Sequence, residues 1–224
     1  MPEDQTQNPY DEMFSTGSLN PSELELYDRV AAAAAALGGG GKALDVGCGM
    51  GYMLQALERR GLSVHGLDFS DYAVQTSRRV VPNGEVVRGS AEDLPWPDAS
   101  FDVVTCMGSL ENFPRPEESL SEMRRVIKAA GRAFILLPNS HFIADFVNVL
   151  FYGTPKKNIQ PIERFLSRVE WHEFLEKGGF EVVRTTAYNE RRPITSPVHA
   201  AYSLIRPFIP LNLSYHFLFE CTAR

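Results

Sequence analysis

Cysteine is scarce and unpatterned in this chain of 224 residues: Cys48, Cys106 and Cys221 are an odd number with no Cys-x-x-Cys pair. Neither a disulfide framework nor a thiolate zinc site follows from that spacing. The five histidines never fall in a His-x-His or His-x-x-x-His pattern, so no metal site is written locally. Basic residues are outnumbered, with 22 Lys and Arg against 28 Asp and Glu, giving a net charge of −6. A polyanion clamp needs clustered cations, so nucleic acid is not the expected partner. Long apolar runs are missing too. The stretch 142–151 is broken by Asp145 and Asn148, well short of the roughly 20 residues a membrane span needs. The opening Met-Pro-Glu-Asp-Gln is acidic and polar, unlike a secretory signal. These absences set the expectation of a soluble, cytoplasmic protein with no stable membrane span.

What is present is an ordinary globular composition, 44% hydrophobic and 22% charged, enough for the core of one domain. Residues 1–19 read as a polar arm punctuated by Tyr10 and Phe14. Asn20 as cap, Pro21 at the first helical position and Glu23 three residues on announce a helix that Gly38–Gly41 ends. Strand and helix patterns then alternate. Strands are expected over 42–46, 63–67, 85–88, 101–106 and 132–137, and helices over 52–60, 70–79 and 116–130. Strands spaced by helices imply an α/β fold with a parallel sheet and right-handed crossovers. In the tail, Ser167 and Glu170 form a capping box for a helix to Lys177, and 180–187 alternates as a strand. Four prolines break up 191–213, and period-2 alternation over 214–223 predicts a last strand.

The most informative stretch is Ala43-Leu-Asp-Val-Gly-Cys-Gly-Met-Gly51. It lies between a strand and a helix, where backbone amides can face an anionic group of a ligand. Glycines there allow a tight turn and a close approach to the backbone. Their spacing is G-x-G-x-G, not the G-x-G-x-x-G of a dinucleotide site. Asp68 closes the next strand, where a carboxylate can accept both hydroxyls of a ribose, and Asp45 adds a second acid that a NAD site does not require. Together these residues point to an adenosine-containing ligand.

With these motifs the sequence resembles the class I S-adenosylmethionine-dependent methyltransferases, most of all the ubiquinone/menaquinone-type branch. The resemblance is carried by 44–51, by Gly66-Leu-Asp-Phe-Ser70, by 89–102 (Gly-Ser-Ala-Glu-Asp-Leu-Pro-Trp-Pro-Asp-Ala-Ser-Phe-Asp), by Ser109-Leu-Glu-Asn-Phe113 and by 122–132. It implies a Rossmann-like, seven-stranded, mostly parallel sheet with helices on both faces and an antiparallel last strand. A cofactor half over 20–138 and acceptor-cap elements over 139–166 and 188–213 go with it. The implied cofactor is S-adenosylmethionine, leaving as S-adenosylhomocysteine. By the resemblance, Gly47, Cys48, Gly49 and Gly51 hold its methionyl part with Asp45 near the amino group. Asp68 binds the ribose, Phe69 lies beside the adenine, Ser90, Ala91 and Glu92 meet its edge, and Met107 lines the pocket. Two positions depart from the family: Ser90 stands where Asp is frequent, and Asn112 where many relatives have His.

A sulfonium methyl is already activated, so the protein's task is to hold a nucleophile in line with it. A general base is needed only for an acceptor protonated at working pH. His141, just past the fifth strand, is the base candidate, since an unperturbed pKa near 6.5 suits proton removal. Glu111 and Asn112 face the same rim and are candidates to orient an acceptor; Tyr188 is a weaker one. Tyr10 and Phe14 are expected as a lid. Phe142 and the aromatic residues after it suggest a small-molecule acceptor that is apolar or aromatic, methylated on oxygen, nitrogen or carbon. Cys106-Met-Gly-Ser109 replaces the Asn/Asp-Pro-Pro-Tyr/Phe signature of enzymes that methylate amines in DNA or glutamine in proteins. A NAD-dependent oxidoreductase, a non-catalytic protein that binds the cofactor, and a peripheral membrane enzyme docking by 202–219 are the rival readings.

Overall fold

The computed structural model describes residues 21–37, 40–153, 162–190 and 202–224. Helix α1 (Pro21–Ala35) leads to β1 (Lys42–Val46), α2 (Tyr52–Arg59), β2 (Ser63–Asp68), α3 (Asp71–Val80) and β3 (Glu85–Arg88). Then come β4 (Phe101–Met107), a short 3-10 turn (Leu110–Asn112), α4 (Pro116–Val126), β5 (Ile127–Pro138) and α5 (Ile143–Tyr152). The tail supplies α6 (Arg168–Lys177), β6 (Phe180–Tyr188) and β7 (His216–Ala223). The expected cap at Asn20 and the aromatic pair Tyr10 and Phe14 lie outside the described residues.

All seven strands join one sheet in the order β3-β2-β1-β4-β5-β7-β6. β1 through β5 pair in parallel, while β7 runs antiparallel to both β5 and β6. The expected α/β class, the strand count and the antiparallel last strand all stand. Alternation along the strands separates two cores. Leu44, Val104, Ile135, Leu137, Phe217 and Phe219 pack with Leu120 and Trp171 from α4 and α6. Val64, Val103, Phe134 and Leu136 face Leu26 and Val30 of α1 and Leu54 and Leu57 of α2. Each helix presents one apolar stripe, as an amphipathic crossover requires.

Two boundaries differ from the sequence reading. The helix expected over 116–130 ends at Val126, and β5 starts at Ile127 rather than 132. Leu120, Met123 and Ile127 have helical spacing, but Ile127 pairs with Phe101 on β4. The amides of Ala99 and Ser100 donate to the carbonyls of Arg125 and Val126 (3.0 and 2.8 Å), drawing the chain into the sheet. The second difference is α5, an element read only as an apolar run; Gly153, at φ 74°, ends it in the left-handed conformation that glycine tolerates.

Candidate active site

β1 hands the chain to β2 on one side, and β4 adjoins β1 on the other. The carboxyl ends of β1 and β4 therefore border the crevice where open α/β sheets bind ligands. At the end of β1 the glycine turn bends with φ of +74° at Gly47, +50° at Gly49 and +80° at Gly51. The left-handed region is costly for any residue with a Cβ. Space is equally restrictive: a Cβ on Gly47 would lie 2.6 Å from the Cβ and Oγ of Ser109, and one on Gly51 would lie 3.0 Å from the Cα of Ser77. Ser109 also donates its hydroxyl to the Gly47 carbonyl (3.2 Å), tying the glycine turn to the turn after β4.

The amides of this turn are committed differently from the sequence expectation. Those of Gly47 and Cys48 donate to the Leu67 carbonyl (2.8 and 3.0 Å), and that of Gly51 to Cys48 (3.0 Å). The Gly49 amide donates to Oδ2 of Asp68 at 2.8 Å, while the Ser70 amide donates to Oδ1 at 2.9 Å. The turn thus holds β2 and aims the Asp68 carboxylate at the glycines. The amides left for an anion are those of the first turn of α2, whose cap residue, Gly51, offers no side-chain oxygen.

Asp45 is buried in the middle of the sheet and accepts a 2.6 Å hydrogen bond from Thr105 Oγ1. Burial raises its pKa most; the Thr105 bond lowers it, the charge on Asp68 raises it further, and the result is a value of about 7. No cation pairs with Asp45 among the described residues. Two carboxyls and a turn whose amides face inward form a site for a cation. They fit an ammonium and a sulfonium, and they do not fit a pyrophosphate, which needs converging donors.

The remaining sequence-predicted residues fall into three groups. Beside the turn, Cys48 is a buried thiol whose pKa burial pushes well up, as suits a filler rather than a nucleophile. Phe69 is 59% exposed beyond β2, with the Arg88 guanidinium 5.9 Å from its ring centre. Ala91 is buried; Ser90 donates to Glu92, which also accepts the Arg115 amide at 3.2 Å. Met107 is half-buried at the end of β4.

At the rim, Glu111 and Asn112 are buried in the turn after β4. His141 is exposed; its amide donates to Asn139 Oδ1 (2.9 Å), and its Nδ1 contacts Ser140 Oγ (2.9 Å). Two residues predicted for the acceptor pocket have packing partners. Phe142 meets Tyr202 and Tyr215 edge to face. The Tyr188 hydroxyl is 3.1 Å from Ser22 Oγ, and its ring packs in the core beneath α1.

Sequence reasoning missed Thr105, Ser109, Asn139 and Arg164. Asn139 donates to the carbonyls of Asn212 and Ser214 (3.0 and 2.8 Å) and so fastens the turn carrying His141. Ser109 opens one of the motifs quoted above, but its hold on Gly47 was not expected there; each of the four acts across 50 or more residues of chain.

The seven-stranded sheet thus carries an acid-lined glycine turn at its crossover. Residues 44–135 match the methyltransferase domain family. A ubiquinone biosynthesis O-methyltransferase of Cupriavidus pinatubonensis is 28% identical over 210 residues, covering 89% of this chain and 80% of that one. Another, from Aromatoleum aromaticum, is 32% identical over 137 residues, covering 59% of this chain and 56% of the relative. Among solved structures, an S-adenosylmethionine-dependent methyltransferase from Aquifex aeolicus shares the fold at 20% identity, with a TM-score of 0.66 over 97% of this chain and 99% of that one. A Haloferax volcanii methyltransferase, solved in complex with the Trm112 methyltransferase activator, does so at 20% identity and a TM-score of 0.72, over 97% and 99%. The protein is an S-adenosylmethionine-dependent methyltransferase, and residues 44–135 carry the matched domain. S-adenosylmethionine is its cofactor, which overturns the NAD reading, and an enzyme replaces the non-catalytic one.

Proposed function

We propose that the enzyme transfers the methyl group to an oxygen of a small apolar or aromatic acceptor. One observation carries the acceptor reading: beyond the carboxyl end of β5, Phe142, Tyr202 and Ile209 form a small core of their own. Around it, α5 and the 202–209 segment expose Phe146, Leu150, Leu204, Ile205 and Phe208. An apolar cap at the ligand edge of the sheet suits a greasy acceptor better than a charged one. Oxygen as the methylated atom follows the relatives named as O-methyltransferases.

When bound, S-adenosylmethionine supplies a methyl group on a sulfonium, activated for displacement in line with the departing sulfur. This chain's residues bind and orient. Asp45 pairs with the methionyl ammonium, Asp68 accepts hydrogen bonds from the ribose hydroxyls, and the first-turn amides of α2 meet the carboxylate. Phe69 covers the adenine, the 90–92 segment meets its edge, and Cys48 and Met107 shape the wall.

Incubating the enzyme with S-adenosylmethionine and a panel of phenols, prenylated phenols, amines and carboxylic acids tests the reading. Release of S-adenosylhomocysteine with a hydroxyl-bearing aromatic, and a product heavier by one methylene, is expected. Turnover confined to amines or to charged hydrophilic compounds overturns it. No helix among the described residues is long and apolar enough to cross a membrane.

A further inference from the structure

The turn after β4 encloses a carboxyl group with one oxygen left without a partner among the described residues. Glu111 is 3% exposed, and its Oε2 has no hydrogen-bond partner among the described residues. Its neighbour Asn112, 8% exposed, donates Nδ2 to the Gly108 carbonyl (3.3 Å), which fixes the amide and leaves its Oδ1 equally unpartnered. A buried acceptor without a donor costs free energy that a folded chain rarely retains without a use.

The cation nearest in the chain does not relieve it. The Arg164 guanidinium donates to the carbonyls of Glu111 (3.1 Å), Phe113 (2.7 Å) and Pro114 (3.2 Å), and its amide to the Glu111 carbonyl (3.2 Å). Arg164 therefore clasps the backbone of the turn, with no bond to the carboxyl. The other titratable groups acting on this carboxyl are Glu163, a like charge, and the Cys106 thiol. The carboxyl lies back toward the crevice edge, with Oε1 3.8 Å from where a Cβ on Gly108 would stand. Gly108 follows Met107 directly, and Ser109 is the residue that grips the glycine turn.

We propose that Glu111 is the proton acceptor of the methyl-transfer site. This rests on the reading of the acceptor as a hydroxyl compound. The acceptor's O–H bond breaks and its proton passes to Glu111 Oε2. The oxygen pair so freed forms the new O–CH3 bond as the carbon–sulfur bond breaks, its electron pair going to sulfur. The Asn112 amide is unable to take a proton, whereas the carboxyl next to it can. Burial raises the Glu111 pKa most; a hydrogen bond from its own backbone amide lowers it, the charge on Glu163 raises it, and the result is a value of about 8. That value favours proton removal from a phenol far more than an ordinary carboxylate does.

The test is Glu111→Gln, which keeps the volume and the fold of the turn, assayed with phenol acceptors of graded acidity. The dissociation constant for S-adenosylhomocysteine should match wild type. The turnover number with ordinary phenols should drop at least about 100-fold, and its rise with pH through about 8 should vanish. A nitrophenol already ionised at the assay pH should recover most of the rate, which a merely structural lesion would not allow. In the wild-type protein, infrared difference spectra across that pH range should show the Glu111 carboxyl band disappear, whether or not any acceptor is present. A Glu111 that ionises near 4.5, or a Glu111→Gln enzyme as fast as wild type on phenols, overturns the proposal and leaves the acceptor reading standing. Loss of the pH-dependent limb in His141→Ala instead of Glu111→Gln also overturns it. A wild type that methylates amines but no hydroxyl compound overturns both.

Discussion

At residue 45 the fold places a carboxyl group inside a parallel sheet with one hydroxyl for company. Its pKa is raised from 3.8 to about 7, so the proton is held by the folded chain over a range in which the unfolded chain has released it. The folded state thus binds more protons than the unfolded between those values, and stability falls as pH rises through that window. Glu111, raised from 4.5 to about 8, acts with the same sign. The melting temperature of the protein alone should therefore decline as pH climbs from about 4 to about 8; a flat profile would mean that neither acid is perturbed. Cofactor affinity should move the other way. An ionised Asp45 pairs with an ammonium, so the dissociation constant should tighten as pH rises through about 7. Asp45→Asn should bind more weakly and remove that dependence in calorimetric titrations.

Asp68 is proposed to serve two purposes at the same scale. Its two oxygens already accept the amides of Gly49 and Ser70, and a carboxylate has lone pairs left for a ribose. Asp68→Ala should weaken cofactor binding by about 1–3 kcal/mol, and an unchanged dissociation constant would remove the ribose role. Asp45 and Asp68 were both legible in the sequence, because each stands at a fixed offset from a strand end and a glycine turn. Thr105 and Ser109 were not. Each is one Ser or Thr among many, and it acquires meaning only when β4 lies beside β1.

Among elements, the glycine turn shows how tightly local chemistry and long-range packing are bound. Gly47→Ala meets two obstacles: a left-handed backbone, worth about 1–2 kcal/mol, and Ser109 atoms 2.6 Å from the new methyl. Denaturant titration should show at least the first cost, with weaker cofactor binding. Adding Ser109→Gly should relieve the steric part and leave the backbone part; full recovery would mean the turn tolerates either conformation. The capping residues Ser70 and Ser167 were read correctly because a cap and its partner lie three residues apart. In the structure they accept from Ala73 and Glu170. The start of β5 was misread because Ile127 satisfies a helical stripe and a strand equally; pairing with Phe101 decides it.

At the scale of the molecule, β7 enters the sheet between β5 and β6 and so holds the tail to the cofactor half. Phe217 on β7 is fully buried, opposite Leu137 of β5 and Ala187 of β6. Phe217→Ala should cost about 3–5 kcal/mol of stability, measured by urea unfolding, with cofactor affinity nearly unchanged below the transition. A smaller loss would mean that the tail is docked less firmly than its strand pairing implies. The exposed apolar residues of α5 and 202–209 belong to this scale too, since neither segment alone makes a cap. They meet through Phe142, Tyr202 and Ile209, residues separated by about 60 positions in the chain.

The sequence by itself determined the alternation of strands and helices, the glycine turn, the acid closing β2 and the helix caps Ser70 and Ser167. All of these are carried by residues within a few positions of one another, where propensity and spacing suffice. Only the tertiary structure decided the place of β7, the early start of β5, the inward commitment of the turn's amides and the proton held by Asp45. It also decided which of the rim acids is enclosed and unpartnered. The reason is physical: burial and hydrogen-bond partnership are properties of surfaces that meet across the fold, and no run of neighbouring residues encodes which atom will be left without water.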